Sequence, residues 1–86
     1  MKLTIIRNDG AVYKDGKSYV GLDLSSVPTH VHALQFNDSL NTGWIEFVDT
    51  AEGSKPANEI INLLPSWAID AVNQWDKKNS EKIIEL

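Results

Sequence analysis

Two apolar runs, Val31–Phe36 and Gly43–Val48, are joined by the six residues Asn37–Thr42. Alternating apolar residues on both sides of a short polar link predict a β-hairpin with one oily face. Its register follows from side-chain chemistry. With Leu34 opposite Ile45, His32 opposes Phe47, and Leu34, Phe36, Ile45 and Phe47 share a face. Val31, Ala33, Gln35, Trp44, Glu46 and Val48 take the other face. A slip of one residue sets Leu34 against Glu46 and mixes polar with apolar groups on both faces, so the first register is preferred.

The residues before this hairpin predict a meander. Leu3–Arg7 is rich in β-branched residues and reads as a strand, Asn8-Asp9-Gly10 as a turn, and Ala11–Lys14 as the returning strand. Asp15-Gly16 is a strong two-residue hairpin signal, which sets Lys14 opposite Lys17, Tyr13 opposite Ser18 and Val12 opposite Tyr19. The two lysines repel weakly, which solvent tolerates. A third strand is expected over 17–24, with Val20, Leu22 and Leu24 on one face. Pro28 and its neighbours break the pattern into a connecting loop.

After the hairpin, Asp49–Asn58 is polar and holds Gly53, Ser54 and Pro56, a surface loop. Glu59–Leu64 is expected as a turn or a single helical turn that drops apolar groups into the core. Pro65 suits the first position of a helix. Leu64, Ala68, Ala71, Val72 and Trp75 then fall on one stripe at three- and four-residue spacing, with Trp67 at its border. Asn79-Ser80 is expected to end the helix. The last residues, 81–86, carry three apolar side chains; they continue the helix, return as an edge strand or dock on another chain.

These elements predict an α+β fold: about five short antiparallel strands, a meander plus a hairpin, packed against one C-terminal amphipathic helix. The expected core is Leu3, Ile5, Val20, Leu22, Leu34, Phe36, Ile45, Phe47, Leu64, Ala68, Val72 and Trp75. A chain of 86 residues is read as a single domain, 1–86, with 79–86 as a tail or partner-docking segment.

The formal net charge of −4 disfavours nucleic-acid binding, because the lysines are few and scattered. Absence of cysteine excludes disulfides, thiolate metal sites and cysteine nucleophiles. Neither a signal peptide nor a membrane span is visible, and synthesis in the cytoplasm is expected.

Little in the chain reads as chemistry. His30 and His32 stand two apart, so on a strand both imidazoles share a face and could hold one metal. Their neighbours on that face, Ile45 and Phe47, are not ligands. A rim-of-core His32 and a loop His30 are the plainer reading. Asp49, Glu52 and Glu59 lack the alternation of a calcium loop and any nearby nucleophile. Ser25 and Ser26 sit in no nucleophile elbow, and the glycines are scattered among turns. No catalytic residue, cofactor or metal ligand is assigned.

Three tryptophans in so short a chain are a heavy aromatic content, and tryptophan anchors cores or interfaces. Trp75 lies mid-stripe, in the core. Trp44 lies on the mixed face of the hairpin. If the helix covers the opposite face, Trp44, Val31, Val48 and Glu46 form a contact surface; alternatively, residues 59–64 or the tail cover it. Ile83, Ile84 and Leu86 are the remaining contact candidates.

Met1–Ile6, Gly21–Leu24, Val31–Gln35, Gly43–Phe47 and Leu64–Ala68, taken in order, resemble a group of small proteins encoded beside tail and tail-fibre genes of tailed bacteriophages and prophages. The resemblance spans nearly the whole chain and rests on the order of the five phrases. It is weakest at Asn37–Thr42 and after Lys78. It implies a non-enzymatic role, as a virion component or a tail-fibre assembly factor. The implied partners are phage tail or tail-fibre proteins, and self-association is left open. The implied location is the host cytoplasm during synthesis and the virion tail after assembly. Two other classes stand beside it: a small acidic inhibitor of a host or rival-phage protein, motivated by the charge, and a metal-dependent enzyme using His30 and His32.

Overall fold

The computed structural model describes residues 1–84; side chains are described to Glu81. Six strands precede one helix: β1 (Lys2–Ile6), β2 (Ala11–Lys14), β3 (Lys17–Tyr19), β4 (Val31–Asn37), β5 (Thr42–Phe47), β6 (Glu59–Ile61) and α1 (Ser66–Ile84). The strands form one sheet in the order β3-β2-β1-β4-β5-β6. Every neighbouring pair is antiparallel. Two three-stranded meanders thus lie side by side, joined where β1 pairs with β4. The α+β class is as expected, with six strands rather than about five.

The additional strand is β6. Glu59–Ile61 pairs along β5, with Trp44 opposite Ile60, instead of turning inward as a helical turn. Isoleucines are β-branched and favour a pleated edge over one isolated helical turn, which gains too few hydrogen bonds to offset its ordering.

The Asp15-Gly16 turn forms as its chemistry predicts, with φ of 50° and 84°, and it fixes Lys14 opposite Lys17 and Val12 opposite Tyr19. β3 stops at Tyr19, shorter than the expected strand. Gly21 takes a φ of 70°, and the Leu22 amide donates back to the Gly10 carbonyl at 2.9 Å. This turn points Val20 to solvent, so its placement in the core is corrected. Leu24 and Val27 from the following loop fill the core instead.

The hairpin keeps its predicted register from Leu34–Ile45 to Asn37–Thr42. Before Ala33 the register shifts: Ala33 faces Glu46 and Val31 faces Phe47, leaving His32 as the extra residue of a β-bulge. The expected His32–Phe47 pairing is therefore corrected. So is the face of Val31, which is 3 % exposed and belongs to the core cluster.

One sheet face carries Leu3, Ile5, Val12, Tyr19, Leu34, Phe36 and Ile45, and α1 packs there through Ala68, Ala71 and Trp75. Alanines at the contact let the helix approach closely, while Trp75 fills the space between helix and the β2–β3 hairpin. The Trp75 Nε1 donates to the Lys17 carbonyl at 3.0 Å, and Tyr19 Oη donates to Asn79 Oδ1 at 2.9 Å. Lys14 bonds Asp76 at 2.8 Å and lies 4.7 Å from the centre of the Trp75 ring. The lysine pair of the hairpin is thus relieved by helix groups as well as by water. The Pro65 carbonyl accepts from Ala68 and Ile69, so Pro65 caps the helix and Ser66 is its first residue. Asn79 and Ser80 do not end it: α1 runs on to Ile84, and Asn79 is spent on Tyr19.

Candidate contact face

The pairings place one side chain from each strand in a single row across the sheet: Ser18, Tyr13, Thr4, Gln35, Trp44 and Ile60. Opposed residues of antiparallel strands share a face, and this row lies on the side away from α1. Tyr13 and Trp44 are 41 % and 40 % exposed, and Ile60 is 75 % exposed. Three strand spacings, roughly 14 Å, separate Tyr13 from Trp44. Thr4 and Gln35 lie between them, and Thr4 Oγ1 donates to Gln35 Oε1.

Between the two aromatics lies a groove of about 420 Å³, lined among others by Tyr13, Thr4, Gln35, Trp44 and Leu40. Leu40 comes from the β4–β5 loop and is exposed. Gly43 lies in the same lining. A Cβ at Gly43 would collide with the Gln35 carbonyl oxygen and sit 2.8 Å from the Phe36 Cα. Glycine is therefore required for β5 to lie close against β4.

The indole Nε1 of Trp44 donates to Glu46 Oε2 at 2.9 Å. Residues two apart on a strand point the same way, and this bond holds the ring along β5 beside a carboxylate. The face is thus apolar in its rings, polar at its floor and negative at one end.

Of the expected contact residues, Trp44 and Glu46 are brought together here. Val48 is exposed further along the same chain, where its amide donates to the His30 carbonyl at 3.0 Å. Val31 is withdrawn into the core by the bulge. Ile83 and Ile84 are the last residues of α1, and Leu86 lies outside the described residues. Residues 59–61 extend the face through Ile60 rather than covering it.

Tyr13, Thr4, Leu40 and Ile60 were not singled out by sequence. Tyr13 opposite Ser18 was legible from the Asp15-Gly16 turn. Its place in one row with Trp44 depends on the β1–β4 pairing, which no local pattern encodes.

His30 and His32 serve other ends. The exposed His30 ring stacks on Phe47, with centroids 5.5 Å apart and planes 5° from parallel, and the His32 carbonyl accepts from the Arg7 amide at 3.1 Å. Among the described residues, no group of three His, Asp or Glu side chains is placed to hold a metal ion. No described helix is long and apolar enough to cross a membrane.

No protein-family model, curated protein or solved structure matches the chain.

Proposed function

We infer that this chain is a non-enzymatic bacteriophage tail-associated protein, a virion component or tail-fibre assembly factor, which works through protein contacts on the open face of its sheet. The carrying observation is the exposed row with Tyr13, Trp44 and Ile60 on the side opposite α1. Exposed aromatic side chains that flank a groove are the kind of surface that anchors a protein partner. The resemblance to proteins encoded beside tail genes supplies the setting.

Mass spectrometry of purified virions tests the component role, and electron microscopy of tails from a deletion phage tests the assembly role. Recovery in virions, or missing or malformed fibres, is expected. Absence from virions together with normal, infectious tails overturns both. Affinity capture from infected cells separates the inhibitor reading: a stoichiometric host or rival-phage protein in place of a tail protein favours inhibition. The paired substitutions Tyr13→Ala and Trp44→Ala are expected to abolish capture of the tail partner while the chain stays folded.

A further inference from the structure

The two edges of the sheet are unequal. On β3, Lys17 supplies a charge, Trp75 donates to its carbonyl, and Tyr19 is tied to α1. A lysine on an edge and a neighbouring element against it are common devices that prevent strand addition. β6 has neither. It is the terminal strand beyond β5, and Glu59–Ile61 contains no lysine or proline. Among the described residues, no backbone hydrogen bond joins its outer side to another segment. Ile60 stands exposed beside Trp44.

Charge is uneven in the same direction. From position 46 to position 60 there are four acids, Glu46, Asp49, Glu52 and Glu59, against one lysine, Lys55. That net −3 is most of the chain's −4, gathered on β5, β6 and the loop between them.

We propose that β6 is a strand-addition site, and that its occupant is an extended segment of a partner protein in which apolar and basic residues alternate. The proposal rests on the reading of the chain as a contact protein and names the chemistry of its partner. Main-chain groups on the outer side of β6 supply the hydrogen bonds, and alternation supplies the selectivity. An apolar residue beside Ile60 prolongs the row that holds Trp44. A basic residue beside Glu59 falls on the opposite face. A second copy of this chain would set one net −3 edge against another, so the charge favours a different, basic partner. Three residues of ladder make a short contact, and the expected affinity is weak, with on-rate aided by charge.

The test uses two blocked nine-residue peptides, one alternating lysine with valine and one alternating glutamate with valine. Each is titrated into the isotopically labelled full chain and followed by amide NMR. The lysine peptide is expected to shift the Glu59–Ile61 amides and the Trp44 indole signal, at least tenfold more tightly than the glutamate peptide. The variant Ile60→Lys, with its spectrum otherwise retained, is expected to lose binding. Ile60→Thr, which keeps the charge and the strand preference, is expected to weaken it at least threefold. Equal response to both peptides, shifts that avoid β6, or no shift at millimolar peptide overturns the proposal. A concentration-dependent dimer abolished by Ile60→Lys assigns the edge to a second copy and overturns it as well. Capture of a tail protein that survives Ile60→Lys but is lost with Tyr13→Ala and Trp44→Ala overturns the edge site while leaving the function standing.

Discussion

The indole Nε1 of Trp75 donates to the backbone carbonyl of Lys17, 3.0 Å away and 58 positions earlier in the chain. Helix and hairpin are locked there by one side chain, whose ring also meets Tyr19 edge-on at 5.6 Å and carries the Lys14 ammonium over its face.

Replacing Trp75 with phenylalanine keeps most of the apolar volume and removes the donor. A loss of about 1–2 kcal/mol is expected, from one hydrogen bond and part of the buried area. Trp75→Ala is expected to cost about 3–5 kcal/mol. Urea unfolding followed by circular dichroism measures both; a Trp75→Phe variant as stable as the parent would show that the hydrogen bond contributes nothing.

Gly43→Ala is expected to destabilise the chain by about 2–3 kcal/mol, because the added carbon has no room against the backbone of Gln35 and Phe36. Thermal unfolding checks this. A neutral result would mean that β4 and β5 separate at little cost.

The bulge at His32 makes two valines unequal. Val31→Ala removes buried methyl groups and is expected to cost about 2 kcal/mol. Val48→Ala, at a residue 37 % exposed, is expected to stay within about 0.5 kcal/mol. The reverse order in denaturant titrations would return Val31 to the open face.

Hydrogen bonding from the Ser25 side chain, and then from its backbone amide, holds the exposed Asp23 carboxyl below its ordinary value of 3.8. The amide lies 3.1 Å from Asp23 Oδ1. A depressed folded-state pKa stabilises the fold at pH above 3.8, and this contribution is lost as pH falls through the folded value. Carboxyl NMR should give an Asp23 midpoint below 3.8 that rises in Ser25→Ala. A midpoint at or above 3.8 in the parent chain would contradict it.

Local chemistry made much of this fold legible. Asp15-Gly16 dictated a turn and with it three residue pairs between β2 and β3, and the Leu34–Ile45 register followed from keeping Glu46 away from leucine. The stripe from Ala68 to Trp75 set the buried side of the helix. What escaped was decided by distant partners. Val20 has the pattern of a core residue, but the turn at Gly21 and the Leu22–Gly10 hydrogen bond expose it. Asn79 has the composition of a helix end, yet Tyr19 engages it within the helix. Ile60 became an edge residue because β5 offered it a ladder. For the contact face, Trp44 and Glu46 could be read from strand alternation, whereas Tyr13 joined them only through the pairing of β1 with β4.

That pairing also sets the tempo at which the chain can fold. Within each meander, strands join their neighbours in sequence, so those contacts close short loops. Ile5 and Leu34 meet across the whole of the first meander and the loop after it. Closing that span is the main entropic hurdle, and the transition state for folding is expected to contain it. In stopped-flow refolding, Ile5→Val should therefore slow folding, while Ile61→Val at the outer strand should chiefly hasten unfolding. The sheet behaves kinetically as two quick hairpin units waiting on a single slow zip between them.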